Sequence, residues 1–199
     1  MPMTPTHALV PIAAALAFSD RPVPWRIIAA ATLAAALPDS DWAMHHFFRA
    51  PDSSIYSHRG AAHSLFAALA VGLIAAGLHR HLKVRALTAG VVVAAAMASH
   101  GILDMMTESG RGVAYLWPIS SIRLFADWRP LHSGPVHPAH LLYDTLGRFV
   151  FELKQLILPM FGLAAIIRSC RIAARDSVKG GEADRFQSCC DNQARGDPE

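Results

Sequence analysis

Apolar residues fall into long blocks, and this pattern constrains the fold of the 199-residue chain more than any other feature. Hydrophobic residues make up 53% of the sequence and charged residues 17%, and the mean hydropathy of +0.30 is too high for an ordinary soluble domain. Short polar stretches separate the blocks, which lack amphipathic periodicity. We therefore predict an all-α, polytopic membrane helical bundle.

The blocks predict about five apolar helices built on two helical hairpins. The predicted helices cover about residues 7–18, 25–37, 63–78, 84–106 and 149–167. The first two are shorter than the ~20 residues of a perpendicular span, so their hairpin is expected to be tilted or partly inserted. The segment from Thr107 to Arg148 contains several prolines and glycines and is expected to be mainly loop.

The distribution of charge predicts the topology and the domain organisation. Lys and Arg concentrate in the short turns after the first and third helices and in the C-terminal segment, so the positive-inside rule places these parts in the cytoplasm and the N-terminus outside. Residues 1–167 are expected to form one membrane-embedded domain, and residues 168–199 a flexible basic tail. The net charge of +3 thus reflects topology, and we expect no nucleic-acid partner.

Histidines and aspartates gather at the predicted non-cytoplasmic ends of these helices. The candidate metal ligands are His7, Asp39, Asp41, His58, His63, His100 and Asp104. The helix boundaries follow from hydropathy, so this convergence is an independent reason to expect a site. Ionisable residues in membrane helices are costly to bury and tend to be functional when they face a bundle interior.

Two of the motifs are pairs of closely spaced residues. His100 and Asp104 are four residues apart, which places both side chains on one side of a helix, although such a pair also occurs at ordinary helix ends. Asp39 and Asp41 follow a predicted helix, where a metal can draw two carboxylates together. The alternative for Asp39 and Asp41 is a helix stop followed by a turn and a cap.

The third motif is His58-Arg59-Gly60-Ala61-Ala62-His63-Ser64. It supplies two histidines at a helix start, a glycine that permits close backbone approach, and an arginine suited to an anionic group. The alternative is a pair of exposed loop histidines. The remaining histidines of the outer loops lack comparable spacing and are expected to face solvent or to be structural; they are His45, His46, His132, His137 and His140.

Taken in order, these motifs resemble the LexA-regulated, inner-membrane metal-dependent hydrolase family of the YdjM type. The resemblance covers about residues 5–125. It rests on Thr6-His7, Leu37-Pro38-Asp39-Ser40-Asp41, the His58–Ser64 motif, His100-Gly101-Ile102-Leu103-Asp104, and Thr107, Gly110 and Leu116-Trp117-Pro118 downstream. The family usually has Thr where this chain has Ala62. The resemblance implies a bacterial inner-membrane hydrolase that depends on metal.

The expected chemistry uses one to three divalent ions, zinc first because of the histidine count. Seven candidate ligands exceed the needs of one tetrahedral ion, and two ions with Asp41 as a bridging carboxylate would account for the surplus. Asp41 and Arg59 are the expected catalytic residues, acting with a metal-activated water and with an anionic group on the substrate, respectively. A site at the membrane boundary suits a phosphoester or lipid-like ester, so membrane lipids and a small-molecule or lipid substrate are the expected partners.

Two other functions use the same residues. A metal transporter or metal-stabilised membrane protein would bind an ion without activating water, although a site at the membrane face rather than the midplane disfavours transport. A proton-responsive histidine cluster would titrate near neutral pH without metal.

Overall fold

The computed structural model describes residues 4–41, 54–55, 57–108, 110–131 and 141–195. The α-helices in these ranges are α1 Thr4–Phe18, α2 Trp25–Ala36, α3 Leu65–Gly77, α4 His79–Leu82, α5 Ala86–Met105, α6 Leu141–Glu152 and α7 Leu158–Arg195. Short 3-10 turns cover Leu37–Ser40 and Ala61–His63, and a π-helical turn covers Leu153–Ile157. Only isolated β-bridges accompany these helices in the described ranges, so the all-α prediction is confirmed.

The predicted number of about five apolar helices is too high. Within the described ranges, two helical stretches are long and apolar enough to cross a membrane. They are α5 and the segment Phe149–Val178, which continues from α6 through the π turn into α7. The apolar helices α1 and α3 are shorter, with 15 and 13 residues. At 1.5 Å per residue, neither matches a hydrocarbon core of about 30 Å.

The C-terminal third contains more helix than the sequence predicts. The helix α6 begins at Leu141, within the predicted loop, and α7 continues through Arg195 without a break at residue 168. Residues 168–195, within the segment predicted to be a flexible tail, are therefore helical in the structure. The first turns of this segment contact α1, where Arg168 donates to the Leu16 carbonyl oxygen. This contact continues the packing of the preceding turns of α7 on α1.

Small residues let the helices of the second hairpin pack closely. A Cβ atom at Gly72 in α3 would lie 2.7 Å from the Gly90 carbonyl oxygen and 2.7 Å from the Ala94 Cβ atom in α5. Close backbone approach through small residues is typical of helices that associate in lipid. The buried cluster around this contact joins α2, α3 and α5 and consists of Ile27, Ala34, Ala68, Ala75, Ala89, Val93 and Met97.

The helix α7 packs along α1. Ala164 is buried against Ala13 and Ala17. At the end of this contact, Arg171 and Arg175 both pair with Asp20 in the turn after α1. These contacts fix α7 beside the first hairpin and place its arginines at the end of the bundle opposite the start of α1.

Candidate metal centre

The seven predicted ligands come together at one end of the bundle. His7 lies in the first turns of α1, and His100 and Asp104 lie in the last two turns of α5. The other four lie in two segments. Asp39 and Asp41 follow the end of α2, and His58 and His63 lie in the segment before α3. His7, His100 and Asp104 are 0% exposed, and His63 and Asp41 are also buried.

Asp104 lies at the centre of the cluster. Its carboxylate oxygens are 3.7 Å from His7 Nε2, 3.4 Å from His63 Nε2 and 3.8 Å from His100 Nε2. Arg59 approaches the same carboxylate with two nitrogens, Nε at 3.3 Å and Nη2 at 3.4 Å. One buried carboxylate therefore faces three imidazoles and a guanidinium.

Asp41 connects the two histidines of the third motif. Its Oδ1 atom is 2.6 Å from His58 Nδ1, and its Oδ2 atom is 3.1 Å from His63 Nδ1. The second contact is close, but its alignment is not that of a hydrogen bond. Asp41 Oδ2 also accepts a hydrogen bond from the Arg59 backbone N–H at 3.2 Å.

Asp39, in the 3-10 turn after α2, faces His100 of α5. Asp39 Oδ1 lies 3.3 Å from His100 Nε2, while Asp39 Oδ2 accepts a hydrogen bond from the Thr4 hydroxyl at 2.5 Å. On the other side of its ring, His100 Nδ1 contacts the Ala35 carbonyl oxygen at 2.7 Å. The His7 ring stacks on the His100 ring with centroids 3.7 Å apart.

Several buried polar atoms of the cluster have no hydrogen-bond partner among the described residues. They are both ring nitrogens of His7, both ring nitrogens of His63, His100 Nε2, Asp39 Oδ1 and Asp104 Oδ2. Leaving a buried polar atom unpaired costs about 1–3 kcal/mol. The unpaired atoms face one another, so a cation bound between them would satisfy the group.

The donor atoms lie close enough together that they could hold a metal ion. Three sets of ligands each place one donor atom per residue within 4.8 Å of the others. The sets are His7, Asp39 and His100; Asp39, His58 and His63; and His63, His100 and Asp104. Donors bound to one zinc ion at 2.0–2.2 Å lie within about 4.4 Å of each other, so small side-chain shifts would complete any set.

The electrostatics of the cluster favour the charged forms of His63 and Asp41. Burial lowers the pKa of His63, but the carboxylates of Asp104 and Asp41 outweigh this effect and raise its pKa to about 9. Burial raises the pKa of Asp41, yet its contacts with His58 and His63 bring that pKa below its ordinary value. Both shifts have the sign expected where carboxylates and imidazoles share one pocket.

Arg59 is held inside the cluster. Its guanidinium is buried and also donates to the Thr107 hydroxyl at 2.8 Å. Gly110 makes room for it, because a Cβ atom at Gly110 would lie 2.5 Å from Arg59 Nη1 and because φ at Gly110 is +100°. The predicted anion-binding arginine is therefore engaged with Asp104 and Thr107.

Two glycines permit the close approach of the loop that carries His58 and His63. A Cβ atom at Gly60 would lie 1.9 Å from the Ile55 carbonyl oxygen. A Cβ atom at Gly101 in α5 would lie 2.8 Å from the His63 carbonyl oxygen. The role predicted for Gly60 is thus confirmed, and Gly101 has a similar role on the facing helix.

Some residues of the site have no signal in the sequence patterns. Arg123 donates to the carbonyl oxygens of His58 and Arg59 and to the Ser57 hydroxyl, so it organises the histidine loop from a distant segment. Thr6, beside His7, donates to the buried carboxylate of Glu152. The loop histidines are outside the described residues; they are His45, His46, His132, His137 and His140.

The fold and the site define an all-helical protein with a buried cluster of His, Asp and Arg at one end of its bundle. A family model described as "YdjM inner membrane protein" matches residues 1–177. Inner membrane protein YbcI of Escherichia coli (strain K12) is 32% identical over 136 residues, which cover 68% of this chain and 78% of that protein. The chain therefore belongs to the YdjM inner membrane protein family, as its motifs predict. No solved structure matches it.

Proposed function

We propose that the chain is a membrane-bound, metal-dependent hydrolase that acts on a phosphoester or lipid-like ester. The observation that carries this proposal is the set of buried, mutually facing nitrogen and oxygen atoms without hydrogen-bond partners in the described chain. All five residues concerned are metal-ligating types; they are His7, Asp39, His63, His100 and Asp104. All of them except Asp39 expose 2% or less of their surface.

The donor set fits one or two divalent ions, with zinc first. His7, Asp39 and His100 would hold one ion, while His63 and Asp104, with Asp41 and His58 beside them, would hold another. A divalent ion in such a site supplies a Lewis acid and makes water a better nucleophile at neutral pH. Imidazole and carboxylate together suit zinc better than the oxygen-only sites of calcium or magnesium.

Access to the cluster is best at His58. Its side chain is 24% exposed, whereas the partner Asp41 is 7% exposed. A substrate would therefore reach the site past His58, where Asp41 orients the imidazole and can accept a proton. Arg59 adds a fixed positive charge behind Asp104, which favours the negative charge that builds on a phosphoryl or ester oxygen.

The arrangement of basic residues supports a multi-pass topology with the site on the non-cytoplasmic face. Arg26 donates to the His81 carbonyl oxygen at 2.9 Å, so the turns after α1 and α3 lie side by side. Arg171 and Arg175 reach the same end by pairing with Asp20. This basic end is opposite the cluster, and the positive-inside rule assigns it to the cytoplasm. Residues 1–167 would then form the hydrolase-like domain, with residues 168–199 on the cytoplasmic side.

A non-enzymatic metal protein is the second candidate, because most of the cluster is sealed from solvent. A structural site saturates its ions with protein ligands, whereas a catalytic site keeps a position open. In that case the ion would stabilise the helix ends and no substrate would be consumed.

Metal-dependent turnover tests the proposal. The purified protein, reconstituted with zinc, would be assayed against a panel of lipid phosphoesters, soluble phosphodiesters and carboxylic esters. We expect hydrolysis that is lost on chelation, restored by zinc and absent in an Asp41→Asn variant. A zinc-loaded protein that cleaves no member of the panel would favour the non-enzymatic function.

A further inference from the structure

An apolar groove lies between α1, α2 and α5. Its volume is about 690 Å³, within the range of roughly 300–1,000 Å³ that is usual for small-molecule sites. Small side chains such as Ala14, Ala31 and Ala95 open the space, and larger ones such as Val10 and Val91 form its walls. The groove is separate from the cluster of His and Asp ligands.

The groove runs from the basic end of the bundle toward the cluster. Along α5 it extends from Thr88 to Ser99, which corresponds to about 16 Å of helix. Ser99 directly precedes His100, and Val10 is one turn from His7. At the far end the groove meets the polar turn that contains Ser19, Asp20 and Arg21.

We propose that this groove holds one acyl chain of a membrane lipid, with the lipid's polar head at the basic turn after α1 and the chain end near Val10 and Ser99. The family places the chain in a membrane, where acyl chains are the abundant apolar ligand. The apolar groove ends at the polar turn that contains Asp20 and Arg21, as the binding of an amphiphile requires. This lipid site does not depend on the proposed function.

Two positions allow the groove to be filled without disturbing the core. Ala14 and Ala95 line the groove and are exposed, so phenylalanine at either position would occupy the groove instead of buried space. Ala70 on α3 is also exposed but does not line the groove, which makes Ala70→Phe a matched control. All three are helical alanines, so the changes in helix propensity are the same.

Photolabelling of the full chain tests the proposal. The protein would be reconstituted in phosphatidylglycerol–phosphatidylethanolamine vesicles with a trace of phosphatidylglycerol that carries a diazirine at the end of one acyl chain. Adducts would be mapped by mass spectrometry and compared with those at Leu73, which is 74% exposed on α3 and reports ordinary lipid contact.

We expect severalfold more label near Val10 and Ser99 than at Leu73. The Ala14→Phe, Ala95→Phe double variant should reduce it to the Leu73 level, and Ala70→Phe should leave it unchanged. Label no stronger than at Leu73, label concentrated near Phe18 and Thr88, or label that persists in the double variant would each overturn the proposal. A partner helix in the groove would give the first of these results.

Metal content and labelling, measured on the same samples, separate this proposal from the proposed function. Labelled groove residues in a protein that binds no metal would support the lipid site and contradict the hydrolase. A metal-loaded protein with hydrolase activity but without groove labelling would overturn the lipid site alone.

Discussion

His100 Nδ1 lies 2.7 Å from the Ala35 carbonyl oxygen, and this contact determines how the imidazole presents its other nitrogen. A carbonyl oxygen only accepts, so Nδ1 must carry the proton and donate it. In the neutral ring, Nε2 then has a free lone pair, although it faces the carboxylates of Asp39 and Asp104. A backbone carbonyl oxygen that accepts from one ring nitrogen and so fixes the tautomer is common among zinc-binding histidines.

Asp104→Asn removes the central charge of the cluster without changing the side-chain volume. It leaves Arg59 buried without its carboxylate, and breaking a buried pair costs about 3–5 kcal/mol. We expect a lower thermal midpoint and at least a tenfold loss of zinc affinity, measured by thermal unfolding and by competition with a chelator. The exposed Asp127→Asn variant is the control, and equal behaviour of the two variants would contradict the central position of Asp104.

Gly60→Ala should disrupt the loop that carries His58 and His63. Its Cβ atom would lie 1.9 Å from a backbone oxygen of Ile55, which cannot rotate away. We expect destabilisation of about 1–3 kcal/mol, as for other overpacked sites, together with weaker zinc binding. Gly77→Ala is the matched control, because no atom lies within 4 Å of its added Cβ. A Gly60→Ala protein that binds zinc normally would show that this loop geometry is wrong.

Arg123→Lys tests whether the loop is organised from outside the ligand set. Lysine keeps the charge but cannot make the fork of hydrogen bonds to Ser57, His58 and Arg59. Changes of this kind beyond the ligands typically reduce metal affinity by about 10–100-fold. We expect a loss in that range with the fold retained, as judged by circular dichroism. Arg129→Lys, at an exposed position, should have no effect.

Gly72→Val tests the close packing of α3 on α5. The valine Cβ would meet the Gly90 carbonyl oxygen and the Ala94 Cβ at 2.7 Å, so the helices must separate. We expect a lower thermal midpoint in detergent, with zinc binding at the distant cluster less affected than in Gly60→Ala. An unchanged midpoint would contradict the helix contact.

The sequence predicts those parts of the structure that depend on local pattern. Apolar blocks locate α1, α2, α3 and α5 to within a few residues, because each helix is a continuous apolar run ended by polar residues. All seven ligand candidates meet in space because the hairpins alternate direction. Even the spacing of His100 and Asp104 corresponds to one face of α5.

The missing parts depend on contacts that are distant in the chain. Arg123 supports the histidine loop across 65 residues, and Thr6 meets Glu152 across 146 residues. No periodicity marks such pairs. The polar composition after residue 168 predicts a flexible tail, but contacts of Arg168 and Arg171 with the end of α1 favour continued helix. The sequence predicts too many apolar helices, because apolar composition alone does not give the length that a membrane span needs.

The central claim is that the buried cluster binds metal, and elemental analysis of the detergent-purified protein tests it most directly. Wild type would be compared with the His100→Ala, Asp104→Ala double variant and with His81→Ala, which removes an exposed histidine of α4. We expect at least about one zinc or other transition-metal ion per chain in wild type and in His81→Ala, and loss of metal in the folded double variant. Wild-type protein without metal after gentle purification and zinc reconstitution would contradict the account.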